Sequence, residues 1–166
     1  MRIRPVLVGL SAVVLATIGV AGPAQASARH ASTGPVQFAL LSTDPSEHAQ
    51  PLIIANGKIH ARGTDIELSS NQSGTRGTDK FVFPRGSLFV SHHTTRGTSH
   101  DSFDRTTCLG THTEDGTFNV TGGTNRYSDA SGNGHYQLEV DFISCNPNAT
   151  PRLFIERIQA NGSLTD

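Results

Sequence analysis

Apolar residues in this chain recur mainly with a period of two, in short runs separated by Gly, Asn, Asp and Pro. The clearest run is HYQLEVDFISC, residues 135–145, in which apolar side chains alternate with Gln137, Glu139 and Asp141. A period of two is that of a β-strand with one face in water, whereas an α-helix repeats every 3.6 residues. Helical periodicity is nearly absent, so the sequence predicts an all-β fold of about seven to nine strands.

The number of short strands limits the architecture of a single domain to two choices, a two-sheet sandwich or a closed barrel. Glycines inside or beside several of the runs favour the barrel, because they permit the coiling that barrel corners need. Closure also removes the exposed strand edges that invite aggregation. We therefore predict a single antiparallel closed β-barrel of about eight strands, with the sandwich as the alternative.

The first 26 residues have the pattern of a secretory signal peptide. Arg2 and Arg4 precede an apolar run over residues 6–21, which is followed by the small-x-small cleavage site Ala24-Gln25-Ala26. The run is short for a membrane span, which needs roughly 20 residues. We expect cleavage after Ala26, a flexible segment over residues 27–34, one barrel domain over residues 35–166, and a secreted, extracellular product. An uncleaved anchor is the alternative.

The charge of the chain excludes some classes of partner. Thirteen Lys and Arg stand against 14 Asp and Glu, and loss of Arg2 and Arg4 with the signal leaves 11 against 14, a net charge of −3 with His neutral. No basic cluster remains to attract nucleic acid, and there is no tryptophan for base stacking. No second apolar run is long enough to span a membrane. The sequence does not determine the oligomeric state.

The chain contains two cysteines, Cys108 and Cys145. In an exported protein a single pair typically forms a disulfide, and no Cys-x-x-Cys spacing indicates a redox site. We predict a Cys108–Cys145 disulfide that stabilises the fold by roughly 3–4 kcal/mol. Two buried free thiols are the alternative.

The stretch GTFNVTGGTNRYSDASGNGHY, residues 116–136, begins and ends like a strand but is rich in glycine. Its first glycine pair lets the backbone leave a strand through positive φ angles, and later glycines bring it back. Tyr127 and Ala130 lie three apart between them, a spacing that suits one irregular turn with both side chains against the core. No G-K-[ST] ending follows, so the stretch predicts a barrel corner and not a phosphate loop. Its structural residues are Gly122, Gly123, Tyr127, Ala130 and Gly132.

This stretch resembles the glycine-rich pattern of allene oxide cyclase-like and dirigent-like β-barrel proteins, which include small secreted proteins of actinobacteria. GTDIELS (63–69), FVFPRGSLFVSHH (81–93) and SFDRTTCLGT (102–111) are similar to other parts of the secreted members. Asn125 stands where the family usually has a third glycine, and asparagine tolerates left-handed geometry. The resemblance implies a barrel of calycin- or lipocalin-like shape, just wide enough to be packed solid or to hold one small ligand.

The resemblance also implies a class of function, since plant members use the cavity to steer the cyclisation or coupling of lipophilic substrates. Their catalytic residues do not match this chain one by one, so none is carried over. We expect a secreted protein that binds a small lipophilic ligand in the barrel cavity, without a cofactor. The alternatives are a dirigent-like or allene oxide cyclase-like isomerase and a non-binding structural protein of the envelope.

The histidines suggest one candidate site. Residues 87–95 and 99–112 are predicted to form a hairpin, in which a two-residue loop places His93 opposite His100. A three-residue loop places His92 opposite His100 instead. A third ligand would have to come from a neighbouring aspartate or histidine, and no spacing here specifies a zinc site. We therefore predict no metal, and keep His93 and His100 as weak catalytic candidates.

Aromatic and acidic residues supply the other candidates. Glu156 lies between Phe154 and Ile158 on one face of the last strand. If that face points inward, Glu156 is a buried acid with a raised pKa, suited to acid–base chemistry. The opposite face is equally apolar, so both orientations stay open. The weak candidates for contact with a ligand are Phe89, Phe103, Phe118 and Tyr136, of which the three-residue loop would pair Phe89 with Phe103.

The run TDIELSS, residues 64–70, places Ile66 and Leu68 on one face and Asp65 and Glu67 on the other. Because Glu67 lies opposite an apolar face, we expect it in solvent, like Glu139 and Asp141 of the alternating run at residues 135–145.

Overall fold

The computed structural model describes residues 31–46, 49–146 and 149–166. The predicted signal peptide and residues 27–30 lie outside this part of the chain. β1 begins at Thr33, two residues before the predicted start of the barrel domain. The elements are β1 (Thr33–Ser42), β2 (Leu52–Gly57), β3 (Ala61–Ser70), β4 (Arg76–Phe83), β5 (Gly86–Thr94), β6 (His100–Asp104), β7 (Leu109–Gly123), a 3₁₀ turn (Asn125–Tyr127), β8 (Ser131–Ile143) and β9 (Leu153–Thr165).

The strands form one antiparallel sheet that closes on itself. Their order is β5-β4-β3-β2-β1-β9-β8-β7-β6, and β5 also pairs with β7. This additional pairing, from Leu88 opposite Gly123 to Thr94 opposite Gly116, joins eight strands into a barrel. β6 lies outside the ring and pairs only with β7 among the described strands. The predicted all-β, closed antiparallel barrel of about eight strands is thus confirmed, with one extra strand.

The long strand β7 serves two partners along one edge. The half that ends at Gly123 pairs with β5, and the half that begins at Leu109 pairs with β6. Residues 99–112, predicted as one strand of a hairpin with residues 87–95, are instead divided between β6 and the start of β7, so that prediction is wrong. A 15-residue strand is long enough to form backbone hydrogen bonds with two short strands, one after the other along the same edge. β5 and β6 therefore both pair with β7 and not with each other.

The predicted hairpin registers are wrong for the same reason. His93 lies opposite Arg76 on one side and Thr117 on the other. His100 lies opposite Thr113. The predicted meeting of His100 with His92 or His93 does not occur, and neither does the pairing of Phe89 with Phe103, because these residues belong to strands that are not neighbours.

The core lies inside the barrel and follows the period-two pattern of the strands. β1 shows it most clearly, since the side chains from Val36 to Ser42 are alternately buried and exposed. Phe38 packs edge-on against Phe81 and Phe118, with ring centroids 5.3 and 5.9 Å apart. Such edge-to-face contacts contribute beyond the apolar area that they bury.

Glycines on the inner face make room for aromatic rings. A Cβ atom at any of four of them would collide with the ring of the residue directly opposite on the neighbouring strand. The interior of an eight-stranded barrel is narrow, so a ring fits where its partner has no side chain. The four pairs are Gly77 with His92, Gly110 with Phe142, Gly116 with Tyr136, and Gly134 with Phe118.

The corner between β7 and β8 has the predicted form. Tyr127 and Ala130 are 4% and 3% exposed, and the Tyr127 ring packs edge-on against Phe83 at 6.2 Å. Gly122 has a φ of +148°, and Asn125 has a φ of +53°, within the left-handed region that asparagine tolerates. The corner residues therefore close one end of the barrel with a tyrosine plug.

Two glycines of the corner are required for close backbone packing and not for a positive φ. Gly123 and Gly132 do not have positive φ, which corrects the prediction for Gly123. A Cβ atom at Gly123 would collide with backbone oxygens of Ser87 and Tyr127, and one at Gly132 with the backbone oxygen of Ser163. Both positions need glycine because another part of the backbone passes close to them.

Cys108 and Cys145 form a disulfide, as predicted, with their Cα atoms 4.8 Å apart. The bond links the turn before β7 to the segment after β8. It is consistent with a protein that folds outside the reducing cytoplasm. Within the described ranges, no helix is long and apolar enough to cross a membrane.

Candidate functional site

The barrel contains a cavity of about 430 Å³ at the end opposite the tyrosine plug. Along β4, Asp79 lines the cavity, whereas Phe83 packs against Tyr127. Exposed residues between β1 and β2, including Asp44 and Ser46, also line the cavity, so it opens to solvent on this side. The volume is within the range of about 300–1,000 Å³ that is typical of small-molecule sites.

The wall of the cavity is apolar on one part and acidic on another. The apolar part comes mainly from inward-facing residues of β1, β4, β5, β7 and β9. The acidic part comes from β3, β4, β9 and the β1–β2 connection. The apolar residues that matter most are Phe38, Phe81, Val90, Phe118, Ile158 and Ala160, and the carboxyl groups are those of Asp44, Asp65, Glu67, Asp79 and Glu156.

β3 turns its acidic face inward, contrary to the apolar-in pattern of its sequence. Asp65 is paired with buried Phe81, and directly opposed residues share one face of a sheet. Leu68 points outward and is 53% exposed. Glu67 has the solvent exposure that was predicted, but at the cavity and not on the outer surface. A strand that breaks the apolar-in rule in this way is the kind of local conflict that marks functional sites.

Asp65 is the most buried of these acids, with 9% of its surface exposed. Its Oδ1 atom has no hydrogen-bond partner among the described residues. Burial, together with the charge of Asp79, raises the pKa of Asp65 to about 8. The group is therefore mainly protonated at neutral pH.

The pKa values of Asp79 and Glu156 are also raised above those of ordinary carboxyl groups. Burial raises the pKa of Asp79, His92 beside it lowers it and Glu67 raises it, and the net value is about 6. Burial raises the pKa of Glu156, and the charges of Glu67 and Asp79 add to the effect. The structure thus decides the orientation that the sequence left open: Glu156 faces the cavity.

His92 and Tyr136 complete the polar part of the wall. The His92 ring lies over Gly77 and 6.1 Å from the Tyr136 ring, and its Nε2 atom has no hydrogen-bond partner in the described part of the chain. The Tyr136 hydroxyl donates a hydrogen bond of 2.9 Å to Glu114 Oε1, and Thr94 Oγ1 donates to the same oxygen at 3.1 Å. Burial raises the pKa of Tyr136 to about 12, so this hydroxyl is a donor.

A polar chain runs from Tyr136 to the outside of the barrel. Beyond Tyr136, Glu114 Oε2 lies 3.7 Å from His112 Nε2. His112 Nδ1 in turn lies 2.8 Å from Asp101 Oδ1, which belongs to β6 and is largely exposed. β6 therefore holds the outer end of a series of ionisable groups whose inner end faces the cavity.

The candidate residues from the sequence divide between the cavity and the outer surface. Phe118, Tyr136 and Glu156 line the cavity. The described cavity wall does not include Phe89, Phe103, His93 or His100. Phe103 and His100 lie exposed on β6, His93 is exposed on β5, and Phe89 occupies the strand position between inward-facing Leu88 and Val90.

Sequence reasoning missed Asp65, Asp79 and His92 as members of one site. The sequence did contain a signal for Asp79, because residues 79, 81 and 83 lie on the same face of a strand and Phe81 and Phe83 predict that this face points inward. Asp65 had none, since its neighbours Ile66 and Leu68 favour the opposite orientation. Among the residues that the structure describes, no three His, Cys, Asp or Glu side chains are arranged to hold a metal ion.

No protein-family model, curated protein or solved structure matches this chain.

Proposed function

We propose that this protein binds a small molecule inside the barrel. The observation that carries the proposal is the cavity of about 430 Å³, which joins aromatic side chains to buried Asp65 and the half-buried Asp79 and Glu156. A structural barrel gains nothing from such a space, because an unfilled interior loses the contacts of its lining atoms. The cavity therefore supports binding over the alternative of a packed envelope protein.

The lining suggests an amphiphilic ligand. Phe38, Phe81 and Phe118 offer an apolar surface for the body of the ligand. Asp65 and Glu156 offer hydrogen-bonding groups that fix its orientation, as is usual in small-molecule sites. We therefore expect the lipophilic ligand to carry a polar group at one end.

Ala160 provides a test, because it is buried and lines the cavity. The neutral dye Nile red should become fluorescent in the protein, and Ala160→Leu should lower its affinity at least about tenfold by filling the space. Ala149→Leu, at an exposed position outside the strands, is the matched control. Thermal melting would establish that both variants fold. Equal dye affinity in the two variants would contradict a cavity site.

The native ligand requires a second experiment. Native mass spectrometry of protein purified from its own host should show an added mass that disappears on denaturation. The same protein produced in an unrelated host should lack that mass. An identical, ligand-free mass from both hosts, together with no dye binding, would rule out the proposed function.

An isomerase or cyclase is the second candidate, and one observation favours it. Burial raises the pKa of Asp65 to about 8 and that of Asp79 to about 6, so near neutral pH one is mainly acid and the other mainly base. Such a pair could protonate and deprotonate one substrate without a cofactor. Incubation with a panel of lipophilic epoxides should then give a bell-shaped pH–rate profile with limbs near these values. Asp65→Asn should abolish the turnover.

We also propose membership in the allene oxide cyclase-like and dirigent-like barrel family, and export from the cell. The closed barrel, its glycine corner with Asn125 in left-handed geometry, and the disulfide support these proposals. Protein recovered from the culture medium should begin at Ser27. Intact mass and N-terminal sequencing would measure this directly, and retention of residues 1–26 would contradict cleavage.

A further inference from the structure

We propose that the ligand is an organic cation, an apolar body that carries a protonated amine, with the amine among the carboxyl groups of Asp65, Asp79 and Glu156. This inference rests on the proposed binding function and names the class of its ligand.

The carboxyl groups of the cavity outnumber its basic side chains, of which the described part of the wall includes His92. The described residues of its wall include five Asp and Glu and no Lys or Arg. The ion pairs found in the described part of the chain use Lys58 with Asp166, Arg157 with Glu139 and Asp141, and His112 with Asp101 and Glu114. None of these contains a carboxyl group of the cavity. A concave site lined by one sign of charge concentrates the opposite ion.

Asp65 supplies an independent indication of a ligand. It is 9% exposed and lines the cavity, yet its Oδ1 has no hydrogen-bond partner in the described chain. An unpartnered buried acceptor is costly, and a donor that arrives with a ligand removes the cost. An ammonium group has three N–H donors and no acceptor, so it matches a cluster of carboxyl oxygens.

The other wall of the cavity suits the remainder of an organic cation. Phe81 and Phe118 each pack edge-on against Phe38, and the three rings offer an apolar surface in the same cavity as the acids. Aromatic faces also attract cations directly, by about 0.5–2 kcal/mol. A bare metal ion makes poorer use of this surface. The described acids are, moreover, not grouped as ligands for a metal.

Proton release should accompany binding. The groups around Asp65 are Glu67 on its own strand, Asp79 on β4, His92 on β5, Tyr136 on β8, Glu156 on β9, and Asp44 in the β1–β2 connection. Each carboxyl that is protonated in the free protein must lose its proton to pair with an ammonium. Amine affinity should therefore rise from pH 5 to pH 8.

The test compares three probes with one apolar body: naphthylmethylamine, naphthylmethanol and naphthylacetate. Each is used to displace Nile red from the full mature chain at pH 8. We expect the amine to bind about tenfold or more tightly than the alcohol, and the carboxylate to bind weakest. Calorimetry in two buffers of different ionisation enthalpy should show proton release with the amine only. Calcium and zinc chloride, added alone, should displace no dye.

Variants of the cavity acids test whether these acids cause the preference for the amine over the alcohol. Asp65→Asn and Glu156→Gln should each reduce the amine preference over the alcohol about tenfold while Nile red still binds. Asp129→Asn, at an exposed position, should leave the preference unchanged. Equal binding of amine and alcohol would overturn the cation inference and leave the cavity site intact. Displacement by the metal salts alone would replace the organic cation by a metal. Failure of Nile red to bind at all would refute the proposed function and the inference with it.

Discussion

Gly116 and Tyr136 face each other directly across β7 and β8, and the tyrosine ring lies over the glycine. The missing side chain of Gly116 is what lets Tyr136 reach Glu114 and line the cavity. Three further glycines of the inner face are paired with rings in the same way. The strand glycines thus shape the interior as well as permit the coiling of the barrel.

Gly116→Ala should destabilise the protein, because the new Cβ atom would collide with the Tyr136 ring and break its hydrogen bond to Glu114. We expect a loss of about 1–3 kcal/mol in the free energy of unfolding, measured by urea denaturation. Gly34→Ala is the control, since its new Cβ atom would come no closer than 3.4 Å to the flexible Lys58 side chain. Similar losses in both variants would show that the ring has room to move.

The acids of the cavity should make the protein less stable as pH rises. The folded state holds a proton on Asp65 up to a pKa of about 8, whereas the unfolded chain releases it near the ordinary value of 3.8. Because the folded state binds more protons over this window, the free energy of unfolding falls from about pH 4 to pH 8. Asp79 adds to the fall up to about pH 6, for the same reason.

Asp65→Asn should remove much of this fall, because an amide stays neutral at every pH. The variant should match the wild type near pH 4 and exceed its free energy of unfolding by about 1–3 kcal/mol at pH 8. Urea denaturation at both values measures the difference. Asp129→Asn should follow the wild-type curve, and a parallel curve for Asp65→Asn would refute the role of its burial.

The disulfide should protect both thiols and stabilise the fold. Without reductant, alkylation in denaturant should add no mass to the mature protein, and after reduction it should modify Cys108 and Cys145. Replacement of both by serine should cost roughly 3–4 kcal/mol, because the bond closes a 37-residue separation in the unfolded chain. Modification of both cysteines without reductant would contradict the bond.

Tyr127 should be important for stability and unimportant for the ligand. Tyr127→Ala leaves a void beside Phe83 and should cost about 3–5 kcal/mol, whereas Tyr127→Phe keeps the ring and should cost less than about 1 kcal/mol. The affinity for Nile red should stay unchanged in the phenylalanine variant, because the plug and the cavity lie at opposite ends of the barrel. A weakened dye site in that variant would place the ligand near the plug instead.

Local pattern was enough to predict much of the fold. The period-two alternation predicted the strands, the cysteine pair predicted the disulfide, and the spacing of Tyr127 and Ala130 predicted the buried corner. Each of these features depends on residues close together in sequence or on a pair with a single partner. The pairing of β5 with β7 was not predictable in this way, because a strand edge can accept any neighbour that the closure of the barrel brings to it.

The sequence by itself determined that this chain is built of β-strands, and it favoured a closed barrel over a sandwich, a Cys108–Cys145 disulfide over free thiols, and a glycine corner. Strand period, the cysteine pair and turn chemistry carry these predictions because they are read from local sequence or from a pair with a single partner. Only the tertiary structure decided which faces of β3 and β9 point inward. Asp65 faces inward because its strand is registered against Phe81, and Glu156 because it lies opposite Ser42 and Val140. The sequence of β9 is apolar on both faces and expresses no clear preference, whereas the sequence of β3 favours the opposite orientation, with Ile66 and Leu68 inward. The register imposed by neighbouring strands settled the choice and brought the acids into one cavity.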